Sequence, residues 1–170
     1  MSAVALVPWH EEDRPLLDAA NTPEMTRYLA GPETEEQLDT RHARYLRLSR
    51  AGLAGMFRIE VAGESVGSIG WWHTDWQNQE VCETGWFIVP SAQGRGYASR
   101  AVDLIVEEAR AHSGRALLLA FPSVENAASN ALCSRKGFRF RGEEKFPFRG
   151  AVLTVNAWSL SLDAVTGERG

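Results

Sequence analysis

The junction at residues 90–99 constrains the fold of this 170-residue chain more than any other segment. A predicted strand over residues 81–89 ends at Pro90, glycines follow at Gly94 and Gly96, and a helix begins at once. Apolar residues at helical spacing indicate that helix, and one face of it holds Ala98, Ala101, Val102, Ile105, Val106 and Ala109. The junction therefore predicts an α/β unit in which a buried strand feeds directly into an amphipathic helix.

The same junction has the chemistry of a pyrophosphate site. Backbone N–H groups in the first turn of a helix lack partners, and the helix dipole adds positive character there. Gly94 and Gly96 have no Cβ, so phosphate oxygens can approach these groups closely. Alternatively, the glycines only turn the corner between strand and helix, and both interpretations stand at this point. A dinucleotide-binding motif needs glycine or alanine at Ser99, and no P-loop lysine is present.

Hydrophobic periodicity and turn residues predict a mixed α/β domain around this unit. Thr34 and Gln37 form a capping-box pattern before a helix that ends near Gly52. The other predicted elements are strands over residues 3–8, 57–61, 65–72, 116–121, 138–142 and 152–162, a polar loop over 75–80 and a helix over 126–136. We expect one domain over residues 1–162, followed by a flexible tail over 163–170.

Composition disfavours several classes of protein. Apolar residues make up 44% and charged residues 24% of the chain, the balance of an ordinary globular domain. A formal net charge of −4 provides no field to attract nucleic acid or an anionic membrane, so neither is an expected partner. Two cysteines and four scattered histidines show no disulfide or metal-ligand spacing, and no signal-peptide pattern opens the chain. We therefore expect a cytoplasmic protein without a metal.

Three sequence blocks resemble the GNAT superfamily of N-acetyltransferases. Residues 93–98, QGRGYA, are similar to its coenzyme A loop, written Gln/Arg-x-x-Gly-x-Gly/Ala. Residues 126–138 match its Asn-x-x-Ser/Ala…Lys-x-Gly-Phe helix. Residues 83–86, ETGW, look like the Glu-Ile-Gly-Tyr of the ribosomal-protein-alanine N-acetyltransferase branch. Because the blocks occur in the superfamily's order and spacing, the chain is identified as a member resembling that branch.

The resemblance implies a fold and a donor substrate. The fold is a mixed, mostly antiparallel central sheet with flanking helices, in which the parallel strands 81–89 and 116–121 splay apart to hold the acyl group. The donor is acetyl-coenzyme A, without a metal. The resemblance assigns coenzyme binding to Phe87, Ile88, Val89, Gln93, Gly94, Arg95, Gly96, Tyr97, Ala98, Ser99, Asn126, Cys133 and Lys136. For two of these residues an alternative interpretation stays open. Asn126 would connect the strand to the helix, and Lys136 would be a surface cation at a helix end.

Glu83 is the candidate general base, because burial in an apolar strand raises the pKa of a carboxyl group toward neutrality. It would act directly or through water, and the alternative is a structural carboxylate that accepts hydrogen bonds from the N-terminal half. His73 is a rival base. Many superfamily members have a tyrosine acid where this chain has Cys133. Ser129 matches a serine of the ribosomal-protein branch and is the candidate group at the sulfur, with Cys133 as the second choice.

The predicted function is transfer of an acetyl group from acetyl-coenzyme A to a primary amine, by direct attack in a ternary complex. The acceptor is a protein N-terminus or a small amine. Two alternatives stay open: acetylation of an aminoacyl-tRNA, which the acidic charge disfavours, and a non-catalytic acyl-coenzyme A sensor. A homodimer is compatible with the sequence, which leaves the oligomeric state open.

The sequence also predicts where the tryptophans and a basic segment lie. Strand alternation sends half of Trp71, Trp72, Trp76 and Trp86 into the core, and the others are candidates to wall an acceptor cleft. Basic residues recur between Arg135 and Arg149, but Glu143 and Glu144 interrupt them. We predict that this basic segment forms a solvated face.

Overall fold

Seven strands form one sheet in the computed structural model of the chain, which describes residues 3–163. In chain order they are β1 (Val4–Pro8), β2 (Ala54–Val61), β3 (Glu64–Trp76), β4 (Gln79–Ile88), β5 (Leu117–Ala120), β6 (Arg139–Phe148) and β7 (Ala151–Ser161). Across the sheet the order is β1-β2-β3-β4-β5-β7-β6, and every neighbouring pair is antiparallel except β4 with β5. This confirms the predicted mixed, mostly antiparallel sheet with one parallel pair. The tail predicted over residues 163–170 lies, apart from Asp163, outside the described residues.

The helices that flank the sheet are α1 (Arg14–Ala19), α2 (Glu35–Arg50), α3 (Tyr97–His112) and α4 (Ala127–Arg135). A capping box fixes the start of α2. The Thr34 hydroxyl accepts a hydrogen bond from the Gln37 backbone N–H at 3.1 Å, and the Gln37 side-chain oxygen accepts one from the Thr34 N–H at 2.9 Å. Two donors that would otherwise lack partners are satisfied, so α2 begins where the sequence predicts.

The core has two main parts, one on each face of the sheet. On the α3 face, four apolar residues of the helix, Ala101, Val102, Ile105 and Ala109, are at most 1% exposed. They join strand residues in one cluster, which includes Ile59, Ile69 and Leu118. On the α2 face, Leu38 clusters with Trp9 and Met56. Trp71 belongs to the first cluster and Trp72 packs against the second, because successive strand residues face opposite sides.

The turn between β3 and β4 differs from the prediction. Positive φ angles of 51° at Gln77 and 62° at Asn78 build a two-residue turn, and Trp76 pairs with Gln79 across it. The polar loop predicted over residues 75–80 is therefore wrong, since its ends belong to the strands. Two successive positive φ angles match the twist of antiparallel strands, which favours this tight turn over a loop.

Strand β6 is also longer than predicted. The expected end at Gly142 is a bulge with a φ of 115°, where the register between β6 and β7 shifts, and pairing continues to Phe148. A glycine bulge bends a strand without ending it. The charged residues after the bulge are tolerated because β6 is an edge strand with solvent beside it. A two-residue turn at Arg149 and Gly150, with φ angles of 48° and 79°, leads into β7.

The parallel pair is short and opens at one end. β4 and β5 pair at three positions, of which Thr84 with Ala120 is the last. β4 continues beyond this pair to Ile88, while β5 ends at Ala120 and the chain turns away toward α4. The edge of β4 that faces β5 is therefore open from Gly85 to Ile88. This gap lies directly before the glycine loop.

Candidate active site

A cavity of about 310 Å³, which we name the central cavity, opens where β4 and β5 diverge. Both predicted catalytic residues, Glu83 and Ser129, line it. Its wall comes from β3, β4, the loop after β5, α2 and the segment after α1, and includes Met25, Tyr28, Arg41, Tyr45, Ser68, Trp72, Thr84, Gly85, Trp86, Phe87, Phe121 and Asn126. The fold therefore brings together two residues that the sequence placed in separate motifs.

A second cavity, of about 830 Å³, shares part of this wall, and we name it the vestibule. It is lined from α2 and from the β6–β7 hairpin by residues that include Arg41, Arg44, Tyr45, Phe146, Phe148 and Arg149. Glu83 and Trp72 line both cavities, so Glu83 stands where the two meet. An acceptor entering through the vestibule would reach Glu83 before the strand gap.

The Glu83 carboxyl group has the electrostatics of a general base. It lies on β4 opposite Trp72 of β3. Burial raises the pKa of Glu83 to about 7, although a hydrogen bond from the Trp72 side chain favours the charged form. Its hydrogen-bond partner is thus Trp72 on the neighbouring strand β3. At neutral pH both protonation states are populated, so the group can accept a proton and return it to solvent.

Asn126 positions Ser129 by capping α4. The Asn126 Oδ1 atom accepts a hydrogen bond from the Ser129 backbone N–H at 3.2 Å. The cap holds Ser129 in the first turn of α4, where it lines the central cavity. Asn126, which the resemblance assigns to coenzyme A, therefore has a structural role as well.

Asn130 ties the loop before α4 to strand β7. Its amide nitrogen donates to the carbonyl oxygens of Ser123 and Asn126, both at 2.9 Å. Its Oδ1 atom accepts hydrogen bonds from Asn156 Nδ2 and Trp158 Nε1, also at 2.9 Å. These four bonds use the full capacity of the amide. The sequence did not indicate this role for Asn130, because nothing about a polar residue beside the motif serine shows that it forms hydrogen bonds to a strand far along the chain.

The backbone before α3 fits a phosphate group. Gly94 and Gly96 have φ angles of 77° and 80°, and a Cβ placed on either would meet no atom within 4 Å. The space beside them is therefore open to a ligand. Gly96 is the N-cap of α3, so the N–H groups of Tyr97, Ala98 and Ser99 form its first turn. The glycines also make the turn from strand to helix, as the simpler interpretation holds, and this turn places the N–H donors beside the open space.

Gln93 fastens this loop to the open end of β4. Its Nε2 atom donates to the carbonyl oxygen of Ile88 at 2.9 Å and lies 3.4 Å from the sulfur of Met25. Met25 lines the central cavity, so Gln93 connects the phosphate loop to the cavity wall. A side chain predicted to bind coenzyme A thereby also fixes the position of the loop.

The backbone groups predicted to hold the pantetheine arm face two directions. The Val89 N–H donates to the Val66 carbonyl oxygen at 2.9 Å, and a Cβ on Gly67 would collide with the Phe87 carbonyl oxygen. Both peptide groups therefore face β3. Because backbone groups alternate in direction along a strand, Ile88 is the predicted contact whose peptide faces the gap.

The remaining predicted coenzyme contacts lie outside the central cavity. Cys133 is 1% exposed within the core on the α3 face, where burial raises its pKa to about 12. A thiol in this position is a packing residue rather than a proton donor. Lys136 Nζ forms an ion pair with Asp103 of α3 at 2.8 Å. Arg95 is exposed in the glycine loop.

His73, the rival base, lies on the opposite face of the sheet from Glu83. Its Nε2 atom is 2.7 Å from the Ser113 carbonyl oxygen, and Nδ1 is 3.4 Å from an Arg115 guanidinium nitrogen. Its ring contacts Trp71 in the cluster on the α3 face. The structure therefore separates His73 from the central cavity.

The tryptophans divide between core and cavity. Trp71 and Trp76 are buried, at 3% and 6% exposure, whereas Trp72 and Trp86 line the central cavity. Half of the group is buried, but Trp71 and Trp76 face opposite sides of β3, so strand alternation alone does not account for the division. Trp86, however, lies near the glycine loop rather than beside the β3–β4 turn, because β4 carries it toward the opposite end of the sheet.

Several cavity residues escaped the sequence analysis. Met25 and Tyr28 follow α1 in a segment without hydrophobic periodicity. Arg41 and Tyr45 are four residues apart on α2. This spacing predicts that they share one face of the helix, but it does not show that this face lines a cavity. Arg149 was grouped with a solvated basic segment, and the hairpin turn carries it to the vestibule.

Other candidate sites in the described part of the chain are less developed. A groove of about 820 Å³ beside β1 is lined by residues that include Trp9 and Arg58, and none of the predicted site residues belongs to its lining. Residues 3–163 contain no cluster of three His, Cys, Asp or Glu side chains suited to a metal ion. No helix in the same range is long and apolar enough to cross a membrane.

Comparison with protein families identifies the family of the chain. A family model described as an acetyltransferase (GNAT) domain matches residues 4–139. The chain belongs to this GNAT acetyltransferase family. The matched region runs from β1 to the start of β6 and includes Glu83, Ser129 and the glycine loop. The search of curated proteins finds no match.

Solved GNAT acetyltransferase structures resemble the chain in fold. An acetyl transferase from Salmonella typhimurium that modifies the N-terminal serine of ribosomal protein L7/L12 is 21% identical, with a TM-score of 0.79, covering 94% of this chain and 95% of its own. Spermidine N-acetyltransferase from Vibrio cholerae is 17% identical, with a TM-score of 0.76, and the match covers 94% of this chain and 95% of the Vibrio chain. The microcin C7 self-immunity acetyltransferase MccE is 16% identical, with a TM-score of 0.77 and coverages of 93% and 92%.

Glu83 should make the stability of this GNAT domain depend on pH. The folded state holds the Glu83 proton more tightly than the unfolded chain, so the free energy of unfolding should fall as pH rises from about 4.3 toward 7. Glu83→Gln should remove this fall and stabilise the protein by up to roughly 3 kcal/mol at pH 8 relative to pH 4. Urea unfolding across this range measures it, with exposed Glu80→Gln as control. Parallel profiles for wild type and Glu83→Gln would contradict the raised pKa.

Removing the Asn130 amide should loosen the loop before α4, the helix that carries Ser129. Asn130→Ala leaves the Trp158 and Asn156 donors without their acceptor, and we expect a loss of roughly 2 kcal/mol in unfolding free energy. Asn156→Ala is the matched control and should cost less, because it removes one of the four bonds. Urea denaturation of both variants provides the comparison. Equal losses would show that Asn130 does not organise the loop.

Proposed function

We propose that this protein transfers the acetyl group of acetyl-coenzyme A to a primary amine, by direct attack in a ternary complex. One observation carries the proposal: Glu83, with a pKa of about 7, and Ser129 line one cavity at the strand gap. Amide formation from a thioester needs a proton acceptor for the amine and support for the departing sulfur. The microcin relative is described with acetyl-coenzyme A and the Vibrio relative with coenzyme A and spermine, which supports the same chemistry here.

The glycine loop fits the pyrophosphate of the donor. Gly94 and Gly96 leave open space, and first-turn N–H groups of α3 offer hydrogen bonds to phosphate oxygens. Arg95, exposed beside them, adds a positive charge. Ile88, whose peptide faces the gap, would hold the pantetheine arm and direct the thioester to the central cavity.

The proposed reaction exchanges a carbon–sulfur bond for a carbon–nitrogen bond. The amine nitrogen attacks the thioester carbonyl carbon, and the C–N bond forms as the C–S bond breaks. Glu83 takes the proton that the nitrogen loses, directly or through a water molecule. The Ser129 hydroxyl donates a hydrogen bond to the departing sulfur, which solvent then protonates to the thiol. The products are the N-acetylated amine and free coenzyme A.

The pKa of Glu83 suits this task. A general base works best when its pKa is near the operating pH. An α-amino group has an ordinary pKa of about 7.7 to 8.0, so a base near 7 can accept its proton without trapping it. Ser129 is the better placed of the two candidates at the sulfur, because Cys133 is enclosed in the core.

The acceptor we propose is a protein N-terminus or a small amine. The vestibule supports this range, since a cavity of about 830 Å³ exceeds the size of a single amino acid and leads to Glu83. The Salmonella relative acts on a protein N-terminus and the Vibrio relative is described with spermine. A cytoplasmic location stays part of the proposal.

A panel of amines and N-terminal peptides tests the function directly. Each acceptor is incubated with the protein and acetyl-coenzyme A, and release of free thiol is followed together with the mass of the acceptor. Acetylated product and thiol should appear in equal amounts. Thiol release without acetylated amine, or binding of the donor without transfer to any amine, would overturn the proposal.

Gly96 should be needed for donor binding beyond its effect on stability. Gly96→Ala puts a Cβ beside the phosphate site and should raise the dissociation constant for acetyl-coenzyme A in calorimetry. Gly114→Ala is the matched control, because Gly114 also has a positive φ, 69°, and open space around it. Both should lose about 1 to 2 kcal/mol of stability. Equal donor affinities in the two variants would exclude the phosphate role.

Glu83 and Ser129 should affect turnover in different ways. Glu83→Gln should lower kcat by roughly 10²- to 10⁴-fold near neutral pH, and less at high pH, where more of the amine is already neutral. Ser129→Ala should lower kcat by roughly 10- to 100-fold without weakening donor binding. Cys133→Ala is the comparison and should stay close to wild type in turnover. A severe loss in Cys133→Ala with normal activity in Ser129→Ala would reverse the assignment.

A further inference from the structure

The charged residues that line the vestibule are three arginines, Arg41, Arg44 and Arg149, and three glutamates, Glu33, Glu36 and Glu83. Arg41 is bound to the Glu33 carboxylate, and its Nη1 atom is 3.4 Å from the Tyr45 hydroxyl. Arg44 and Arg149 also line the vestibule, yet neither has an acidic group within 4.0 Å among the described residues. Two guanidinium groups thus face this cavity without ion-pair partners from residues 3–163.

Arg149 lies exposed at the tip of the β6–β7 hairpin, where it lines the vestibule. Its guanidinium carbon lies 4.4 Å from the centre of the Phe148 ring. The pKa of Arg149 is lowered, first by partial burial and then by the positive charge of Arg41. The two arginines therefore repel each other across the same cavity. The Nε atom of Arg41 is also buried without a hydrogen-bond partner. An anion bound here would compensate the charge of Arg149, since that of Arg41 is already paired with Glu33.

We propose that the acceptor carries a carboxylate in addition to its amine, and that Arg149 binds this carboxylate while the amine lies at Glu83. This inference rests on the proposed function, since it names the substrate class of the same site. Arginine suits the role, because its planar guanidinium can donate two parallel hydrogen bonds to a carboxylate. Glu83 marks the amine end, where the vestibule meets the central cavity.

The charges distinguish this acceptor from a polyamine. A polyamine that placed one nitrogen at Glu83 would bring its other positive charges toward Arg44 and Arg149, and of the two further carboxylates in this cavity Glu33 is already bound to Arg41, which leaves Glu36. Like charges that close disfavour binding. Two sources can supply the shared chemistry of amine plus carboxylate: a free amino acid, through its own carboxylate, and a peptide N-terminus followed by an acidic side chain.

Matched acceptors test the proposal and separate the two sources. One arm compares alanine with alaninamide, and the other compares a peptide beginning Ser-Asp with the same peptide beginning Ser-Asn, both with amidated C-termini. The wild-type protein should favour the carboxylate member of at least one pair by roughly tenfold or more in kcat/KM. Equal use of both members in both pairs would overturn the inference while leaving the acetyltransferase function intact.

Variants of Arg149 test the residue itself. Arg149→Gln should lower kcat/KM for the preferred carboxylate acceptor by roughly 10- to 100-fold and change the amide acceptor by less than about threefold. Arg149→Lys should recover part of the loss, because it keeps the charge but not the paired hydrogen bonds. Arg139→Gln, which changes an exposed arginine at the start of β6, is the control and should resemble wild type. Equal losses for both acceptors in Arg149→Gln would overturn the assignment.

A binding measurement keeps the inference testable without turnover. Each acceptor is titrated into the protein with coenzyme A present, and the heat of binding is recorded. The carboxylate member should bind more tightly to wild type than to Arg149→Gln, and the amide member equally to both. If no acceptor is acetylated but this pattern appears, the proposed function fails and the carboxylate site stands. If acetylation proceeds without the pattern, the carboxylate site fails alone.

Discussion

Hydrogen bonding between β4 and β5 stops after Thr84 and Ala120, and the rest of the site depends on that interruption. Up to this point the parallel pair is an ordinary buried part of the sheet, with Cys82 and Leu118 in the core. Beyond it, β4 runs on to Ile88 with one edge unpaired, which opens the central cavity. Backbone groups buried without partners are costly, so the open edge requires water or a ligand. The gap is thus a binding feature that the fold itself creates.

Side-chain hydrogen bonds hold the two borders of the gap in place. On one side, Gln93 fixes the glycine loop to the carbonyl group of Ile88. On the other, Asn130 joins the loop after β5 to β7, and Asn126 caps the helix that carries Ser129. Where β4 and β5 splay apart, no backbone hydrogen bonds between the strands fix the distance between them. These amides replace it, so motif residues that resemble ligand contacts also act as structural ones.

Partial burial gives the site its chemistry at both ends. The same cavity wall that excludes water from Glu83 raises its pKa toward neutrality and makes it a usable base. In the vestibule, Arg41 is paired with Glu33, whereas Arg149 has no acidic group within 4.0 Å among residues 3–163. An amine at Glu83 and an anion at Arg149 complement these two environments. The acceptor chemistry we infer therefore follows from the same electrostatics as the catalytic proposal.

The sequence by itself determined the elements and their order, because local signals specify them. The capping box of Thr34, the apolar face of α3 and the glycines before it each depend on residues that lie close together in the sequence. The three motif blocks indicated the family and singled out Glu83 and Ser129 as candidate catalytic residues. The sequence did not determine the extent of β3 and β6, since turn geometry and edge exposure decided where pairing ended. Nor did it separate Ser129 from Cys133, which lie four residues apart on one short helix; only packing sends one to the cavity and the other to the core. The sequence did not show the vestibule either, because α2 and the β6–β7 hairpin are distant in sequence, and only the tertiary fold brings Arg41 and Arg149 to the same cavity.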